Sequence, residues 1–174
     1  MKRVVLVSSA SASGKTTLAH ELARRLGAPC HELDALNHGP NWTEATPEEL
    51  RAAVAPLVAG ERWVIDGAYR GKLGDLVLAA ADTVVWLDLP TRTWLPRLVR
   101  RTMRRIIRGE ELWNGNRETL RNVFFSRDSL ILYALRNFSR HRRLYPNELA
   151  PFPVVRLRSN REVRRWFARI PTQE

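Results

Sequence analysis

The chain has 174 residues, a formal net charge of +11, and 44% hydrophobic, 27% charged and 8% aromatic residues, the composition of a single soluble globular domain large enough for a real core. No apolar run nears the roughly 20 residues of a membrane span, and Met1-Lys2-Arg3 leads into a strand rather than a signal peptide, so a cytoplasmic location is expected. Cys30 is the only cysteine, which excludes an internal disulfide and a cysteine-based zinc site.

Taken in order, Val4, Val5, Leu6 and Val7 form a buried-strand run. Small residues follow, Ser8 to Ser13, then Gly14-Lys15-Thr16-Thr17, then the helical pattern Leu18, Ala19, Leu22, Ala23, Leu26. That helix stops at Gly27, with Pro29 just beyond. A short strand is read at Cys30–Leu33, and the polar segment Asp34–Ala45 reads as a loop. Thr46 caps the next helix, with Pro47 in its first turn and Glu49 completing a capping box. Its expected core face is Leu50, Ala53, Val54 and Leu57, and Pro56 is expected to kink or shorten it.

Arg62–Asp66 is the third strand, Leu73–Ala80 a short helix and Thr83–Asp88 the fourth strand. A long helix covers Arg92–Arg108, with Pro96 bending it early. After a break at Gly109–Asn116 come helical runs at Arg117–Phe125 and Asp128–Leu144. Pro153–Arg158 is the fifth strand. Ser159 to Glu162 cap a last helix with core face Val163, Trp166, Phe167 and Ile170. Strands alternating with helices predict an α/β fold, a parallel sheet covered on both faces.

Strand, small-residue turn, Gly-Lys-Thr and helix make up a phosphate-binding loop. A triphosphate needs several inward-pointing backbone N–H groups, which a tight turn of small residues at a helix N-terminus supplies. Ser11, Ala12, Ser13, Gly14, Lys15, Thr16 and Thr17 are therefore the candidate nucleotide-binding residues. Lys15 reaches the β/γ-phosphates, and the Thr16 hydroxyl is placed for Mg²⁺. Ser9 stands where the motif has its first glycine, so the opening turn must be made differently.

In a parallel sheet, sites form beyond the carboxyl ends of the strands, where Asp34, Asp66 and Asp88 fall. Asp66 suits a partner for Mg²⁺, held through water, or a group orienting the acceptor; a carboxylate capping the Gly67 turn is the competing reading. Asp34 is either the base for an acceptor hydroxyl or a local cap. Asp88 reads as structural. His38 and Trp42 fall in the acceptor loop, as substrate contacts or as packing.

The chain has 26 arginines against three lysines, and arginine is the better residue for planar, bidentate phosphate contacts. The arginines either line a phosphate-transfer site or form a nucleic-acid face, with genome composition accounting for many exposed ones. Arg97, Arg101, Arg104 and Arg108 share one helical face. Like charges at that spacing repel by a few tenths of a kcal/mol per pair, which points to an anion there. A second stripe is Arg136, Arg140 and Arg143. The two stripes flank a connecting segment and together suggest a lid that excludes water from a transferring phosphoryl group.

The segments SASGKTTLAHELARRLGAP, ELDAL with the later NW, WVIDGAYR, ADTVVWLDLP and PRLVRRTMRR resemble the adenylate-kinase-like nucleoside and nucleotide kinases of the phosphate-loop superfamily. They look most like small bacterial proteins known as adenylate-kinase-related or DNA topology modulation proteins. The resemblance implies a three-layer α/β/α fold with a five-stranded parallel sheet in order 2-3-1-4-5, and ATP with Mg²⁺ as donor. By motif, Asp66-Gly67-Ala68-Tyr69-Arg70 matches the kinases' Asp-Gly-Phe-Pro-Arg. Arg70 is thereby implied to hold an acceptor phosphate, with Gly67 beside it, and Asp66 a Mg²⁺-bound water. Arg97 and Arg101 match the paired arginines that grip ATP, and Arg136 and Arg140 those that come over the phosphoryl group.

Two departures stand out. Residues Cys30–Glu49 hold no arginine, where adenylate kinases use one for the AMP phosphate, and Asp34 resembles the acid that meets an acceptor hydroxyl in shikimate- and gluconate-type kinases. The expectation is one kinase-like domain over 1–174, with an acceptor segment at about 34–60 and a helical lid at about 97–145. It would transfer the ATP γ-phosphoryl group to a small acceptor, a nucleoside monophosphate or another phosphate or hydroxyl compound. The alternative is a nucleotide-dependent nucleic-acid-binding or regulatory protein; nucleic acid is the less favoured partner and a membrane is not expected.

Overall fold

The structure, a computed structural model, describes residues 1–109 and 130–172. The expected break after Gly109, the helical run Arg117–Phe125 and the first residues of the run Asp128–Leu144 lie outside them. The same holds for the middle of the expected lid.

β1 (Arg3–Ser8) leads through the phosphate loop into α1 (Lys15–Leu26). β2 (Cys30–Glu32) runs directly into the short α2 (Leu33–Asn37), and a 3₁₀ turn covers Pro40–Trp42. Asp34 thus sits on a helix, and the segment expected as a loop is closed by a bridge between His38 and Glu44. α3 (Pro47–Val58) opens with the expected capping box: Glu49 N donates to Thr46 Oγ1 at 3.2 Å, and Thr46 N to Glu49 Oε2 at 2.8 Å. Its buried stripe is Leu50, Val54 and Val58, at i, i+4 and i+8. Ala53 falls off that stripe and is exposed. The helix continues through Pro56 to Val58.

After β3 (Trp63–Asp66), the helix expected at 73–80 is two pieces, α4 (Arg70–Leu73) and α5 (Leu76–Ala80). Gly74, at φ 61°, turns the chain between them. Then come β4 (Thr83–Leu87), α6 (Thr91–Arg108), α7 (Leu130–Glu148), β5 (Val154–Leu157) and α8 (Asn160–Ala168).

The five strands are parallel, in the order β2-β3-β1-β4-β5. Alternation along the strands divides the core between two faces. Val5, Val7, Trp63, Ile65, Val84 and Trp86 pack with Leu33, Leu50, Val54, Val77 and Leu78 from α2, α3 and α5. Val4, Leu6, Val64, Val85 and Leu87 pack with α1 and, through Ile170, with the chain end after α8. A third cluster joins Trp94 and Leu98 of α6 to Ala134 and Phe138 of α7, with Ala10 and Ala12 of the phosphate loop against it. Full burial of a leucine or phenylalanine side chain contributes about 1.5–3 kcal/mol, so the α6–α7 pair is held on the loop by its own core.

Register sets the site. Glu32 pairs with Asp66, Leu6 with Asp66, Ser8 with Leu87, and Leu87 with Leu157. The carboxyl ends therefore form one edge, and the residues following β1, β2 and β3 open onto it.

Candidate active site

The turn from β1 to α1 is built from small residues and two left-handed ones. Gly14 has φ 90° and Ala12 φ 54°. Ser9 is not among the positive-φ residues, which explains why serine is accepted where the motif has glycine. It is fully buried, and its hydroxyl accepts from Trp86 Nε1 at 2.8 Å and meets Asp88 Oδ1 at 3.2 Å. Ser8 Oγ bonds Ser13 Oγ at 2.8 Å and the Ala10 carbonyl at 2.7 Å. The turn is thus tied to itself and to the sheet.

The first helical bond of α1 runs from Leu18 N to Gly14 O, so the N–H groups of Lys15, Thr16 and Thr17 precede the ladder and point along the positive end of the helix dipole. A Cβ built on Gly14 would meet no heavy atom within 4 Å; the mouth of the loop is open. Lys15 Nζ forms an ion pair with Asp66 Oδ1, and Thr16 Oγ1 donates to Asp66 Oδ2 at 2.5 Å. Asp66 is 2% exposed. A hydroxyl and a carboxylate side by side are the hard oxygen donors that Mg²⁺ takes while keeping waters and phosphate oxygens. Open amides, lysine, hydroxyl and buried carboxylate fit a magnesium–triphosphate group. No cluster of three or more His, Cys, Asp or Glu able to hold a metal occurs among the described residues.

Beside the loop lies a cavity of about 380 Å³, lined by Ser13, Gly14, Thr17 and Leu18, by Arg97 of α6 and by Asn160 at the start of α8. Arg97 is exposed there, and Arg101, one turn on, is half-buried. Arg136 and Arg140 lie exposed on α7. The α7 side chains that reach the loop region are others. His141 hydrogen-bonds the Ser9 backbone, and burial pulls its pKa below the ordinary 6.5. Arg142 Nε is 3.6 Å from Asp88 Oδ1. Asp88 also takes Arg156 of β5 at 2.6 and 3.1 Å, with that guanidinium 4.0 Å over the Trp86 ring. The residue read as structural holds the loop, β5 and α7 together.

A second group sits after β2 and β3. Tyr69 OH donates to Asp34 Oδ1 at 2.7 Å and lies 3.4 Å from His38 Nε2. Burial, then the Asp34 charge, raises the pKa of Tyr69, so the phenol keeps its proton. Gly67, at φ 106°, makes the turn that brings Tyr69 there, and its N–H donates to the Leu6 carbonyl at 2.9 Å. His38 meets Trp42 edge-on, with ring centroids 5.8 Å apart. Asp34, His38 and Trp42 are therefore brought together, around a tyrosine that the sequence reading had not singled out. Its signal was the Gly67 turn itself, which places the third residue after Asp66 back over the sheet edge.

Arg70 is held by Asp75 (NH2 to Oδ1, 2.6 Å) and by Glu148 of α7 (NH1 to Oε2, 3.2 Å). Burial pulls its pKa down, but these two carboxylates outweigh that and raise it. Lys72 Nζ donates to Asn37 Oδ1, Glu44 Oε2 and the Ala45 carbonyl at 2.6–2.8 Å. The Lys72 hydrogen bond in turn lowers the pKa of Glu44.

The parallel sheet in this order, covered on both faces and opening onto a phosphate loop, is the P-loop kinase fold. No protein-family model and no curated protein sequence matches the chain. Solved structures do. A gluconokinase from Sinorhizobium meliloti 1021 is 20% identical, covering 98% of this chain and 93% of its own, with a TM-score of 0.55. A shikimate kinase from Bacteroides thetaiotaomicron is 15% identical over 97% and 95%, with a TM-score of 0.58. A deoxyadenosine kinase from M. mycoides is 12% identical over 95% and 96%, with a TM-score of 0.55. At these identities the likeness is one of fold. No helix among the described residues is long and apolar enough to cross a membrane.

Proposed function

We propose that this chain is a phosphotransferase that moves the γ-phosphoryl group of ATP to a small acceptor, a nucleoside monophosphate or another phosphate or hydroxyl compound, in one kinase-like domain. The observation that carries this reading is Lys15 and Thr16 converging on the buried Asp66 at the mouth of an open amide cup. The structural neighbours, all named as small-molecule kinases, support it, and so does the motif-level resemblance to adenylate-kinase-related proteins.

When bound, magnesium–ATP supplies the transferable phosphoryl group and a divalent charge on its phosphates. This chain's residues do the rest. The amides of Lys15 to Thr17 and the Lys15 ammonium bind and neutralise phosphate oxygens; Ser11, Ala12 and Ser13 shape the cup. Thr16, and Asp66 through water, hold the metal. Arg97 and Arg101 grip the nucleotide side, and Arg136 and Arg140, exposed on α7, cover the transferring group and keep water out. Asp34 accepts the proton of an acceptor hydroxyl, with His38, Trp42, Gly67 and Arg70 around the acceptor. Charge stabilisation and positioning of this kind carry most of the rate in phosphoryl transfer.

Transfer of label from γ-labelled ATP to an acceptor, measured with the intact chain and with Lys15→Ala, tests the reading. The expected result is acceptor-dependent transfer that falls by about 100-fold or more in the variant. Equal transfer by the two chains would refute it. Tight binding to DNA or RNA with a steep salt dependence and no label transfer would favour a nucleic-acid-binding protein instead.

A further inference from the structure

On the other face of the sheet from the cavity beside the phosphate loop lies a second one of about 370 Å³, and the two share no lining residue. Its walls include Trp86 of β4, Tyr145 and Leu149 near the end of α7, Phe152, and Val154 and Arg156 of the edge strand β5. The apolar part of that lining is what a flat ring packs against. The charged part is Arg156, whose side chain stays 28% exposed. One face of its guanidinium lies 4.0 Å over the Trp86 ring, and Nε and one terminal nitrogen donate to Asp88 Oδ2. What remains exposed is the opposite face and the second edge, whose N–H groups meet no acceptor among the described residues. Tyr145 adds a hydroxyl with no hydrogen-bond partner among the described residues. Burial, then the Glu148 charge, pushes its pKa up to about 12, so it keeps its proton and can donate.

An unused guanidinium edge and a phenol call for an oxygen anion. Arg156 is the one cation among the described lining residues, and a single fork suits the two oxygens and single charge of a carboxylate better than a phosphate dianion. Glu148, the carboxylate near Tyr145, is itself held by Arg70 at 3.2 Å. Three of these walls also stand one contact from Ser9. Trp86 Nε1 donates to Ser9 Oγ at 2.8 Å, and Arg156 holds Asp88, whose Oδ1 meets the same hydroxyl at 3.2 Å. The Tyr145 ring stacks on His141, with centroids 4.7 Å and planes 14° apart, and His141 hydrogen-bonds the Ser9 backbone. Ser9 opens the phosphate loop at the position where the motif has glycine, a residue with no side chain to receive the first two of these contacts.

We propose that this cavity is a second binding site, for a small ring-bearing carboxylic acid, and that its occupancy is felt at the phosphate loop through Ser9. The carboxylate lies on the free edge of Arg156 and the Tyr145 hydroxyl, and the ring lies against Phe152 and Leu149. The site stands apart from the phosphotransferase reading above; its coupling to ATP rests on that reading. A carboxylate on Arg156 draws the guanidinium from Asp88, and Asp88 in turn shifts the Ser9 hydroxyl. ATP and the acid therefore change each other's affinity by the same factor.

The probes are 2-naphthoate, 2-naphthyl phosphate and the uncharged 2-naphthamide, titrated calorimetrically into the intact chain. The expected result is that 2-naphthoate binds at least about tenfold more tightly than the amide, and more tightly than the phosphate. A panel led by the phosphate or the amide overturns the carboxylate assignment, and no binding by any probe overturns the site. Truncating Arg156 would strand Asp88, so location is tested with Ala150→Trp, which fills the cavity from a lining residue that makes no ion pair. It should abolish 2-naphthoate binding; undiminished binding overturns the site. Tyr145→Phe keeps the stacked ring and loses a hydroxyl without a partner among the described residues. Its melting temperature should hold while 2-naphthoate affinity falls about threefold or more, and unchanged affinity overturns the assignment of that hydroxyl. Saturating 2-naphthoate should change the affinity for ATP·Mg by at least about fivefold. Ser9→Ala should bring that factor to within about twofold, with 2-naphthoate affinity retained. Equal ATP affinity with and without 2-naphthoate, or a factor untouched by Ser9→Ala, overturns the coupling. No ATP binding at all overturns the coupling and the phosphotransferase reading together, whereas 2-naphthoate binding still upholds the site.

Discussion

Truncating Lys15 to alanine should have a stability consequence as well as a catalytic one. In the structure Lys15 is paired with Asp66, and their side chains are 21% and 3% exposed. Without the ammonium, Asp66 keeps, among the described residues, the Thr16 hydroxyl as its side-chain partner at 2.5 Å. Removing one member of a buried ion pair costs about 3–5 kcal/mol, and the partial exposure of Lys15 puts this case at about 3. For a chain of this length each kcal/mol moves the melting temperature by about 2–4 °C, so a fall of roughly 6–12 °C is expected. Adding Asp66→Asn removes the stranded charge. The double variant should recover about 1–2 kcal/mol relative to the sum of the two single changes. Urea denaturation of the four chains, followed by circular dichroism, measures the cycle. Additive costs would show that the pair is not coupled and that Asp66 is satisfied by other means.

Other expectations follow from single features. Thr46→Ala removes the cap of α3 and should lower stability by about 1 kcal/mol, read as a urea midpoint shift without a change in slope. Gly14→Ala meets no steric obstacle but forces alanine to φ 90°, costing about 1–2 kcal/mol; its larger effect should be weakened ATP binding in a calorimetric titration. His141 sits below its ordinary pKa of 6.5, chiefly through burial, with Arg140 adding to the effect and the Ser9 backbone and Glu148 opposing it. The unfolded chain therefore takes the proton first, and stability present above pH 6.5 should be lost as the pH falls towards the folded value. His141→Asn should flatten that decline in melting temperature between pH 7 and 5, although His31, whose pKa burial also lowers, will keep part of it.

Most of the sheet was legible because β1, β3, β4 and β5 are short, largely apolar runs, which read the same wherever they pack; β2, Cys30–Glu32, is polar and half-buried. The phosphate loop was legible because its residue types follow directly from what a triphosphate needs. Asp34 was placed in a loop because five residues of helix, Leu33–Asn37, are too few to show a period. Ala53 entered the core face of α3 because an apolar alanine fits the pattern of period 3.6, although the i, i+4, i+8 stripe leaves it outside. Tyr69 shows its turn through Gly67 but not its partner, because Asp34 lies 35 positions away. The hold of Arg156 on Asp88 spans 68 positions, and long-range pairs leave no trace in a single sequence. The carboxylates on Arg70 were hidden for the same reason: Glu148 reaches it from α7.

Calorimetric titration of ATP, with and without magnesium, into the intact chain and into Lys15→Ala probes the nucleotide cup most directly. Saturable, magnesium-dependent binding that weakens at least about tenfold in the variant is the expected result. Equal affinity in both chains, or no binding to either, would contradict it.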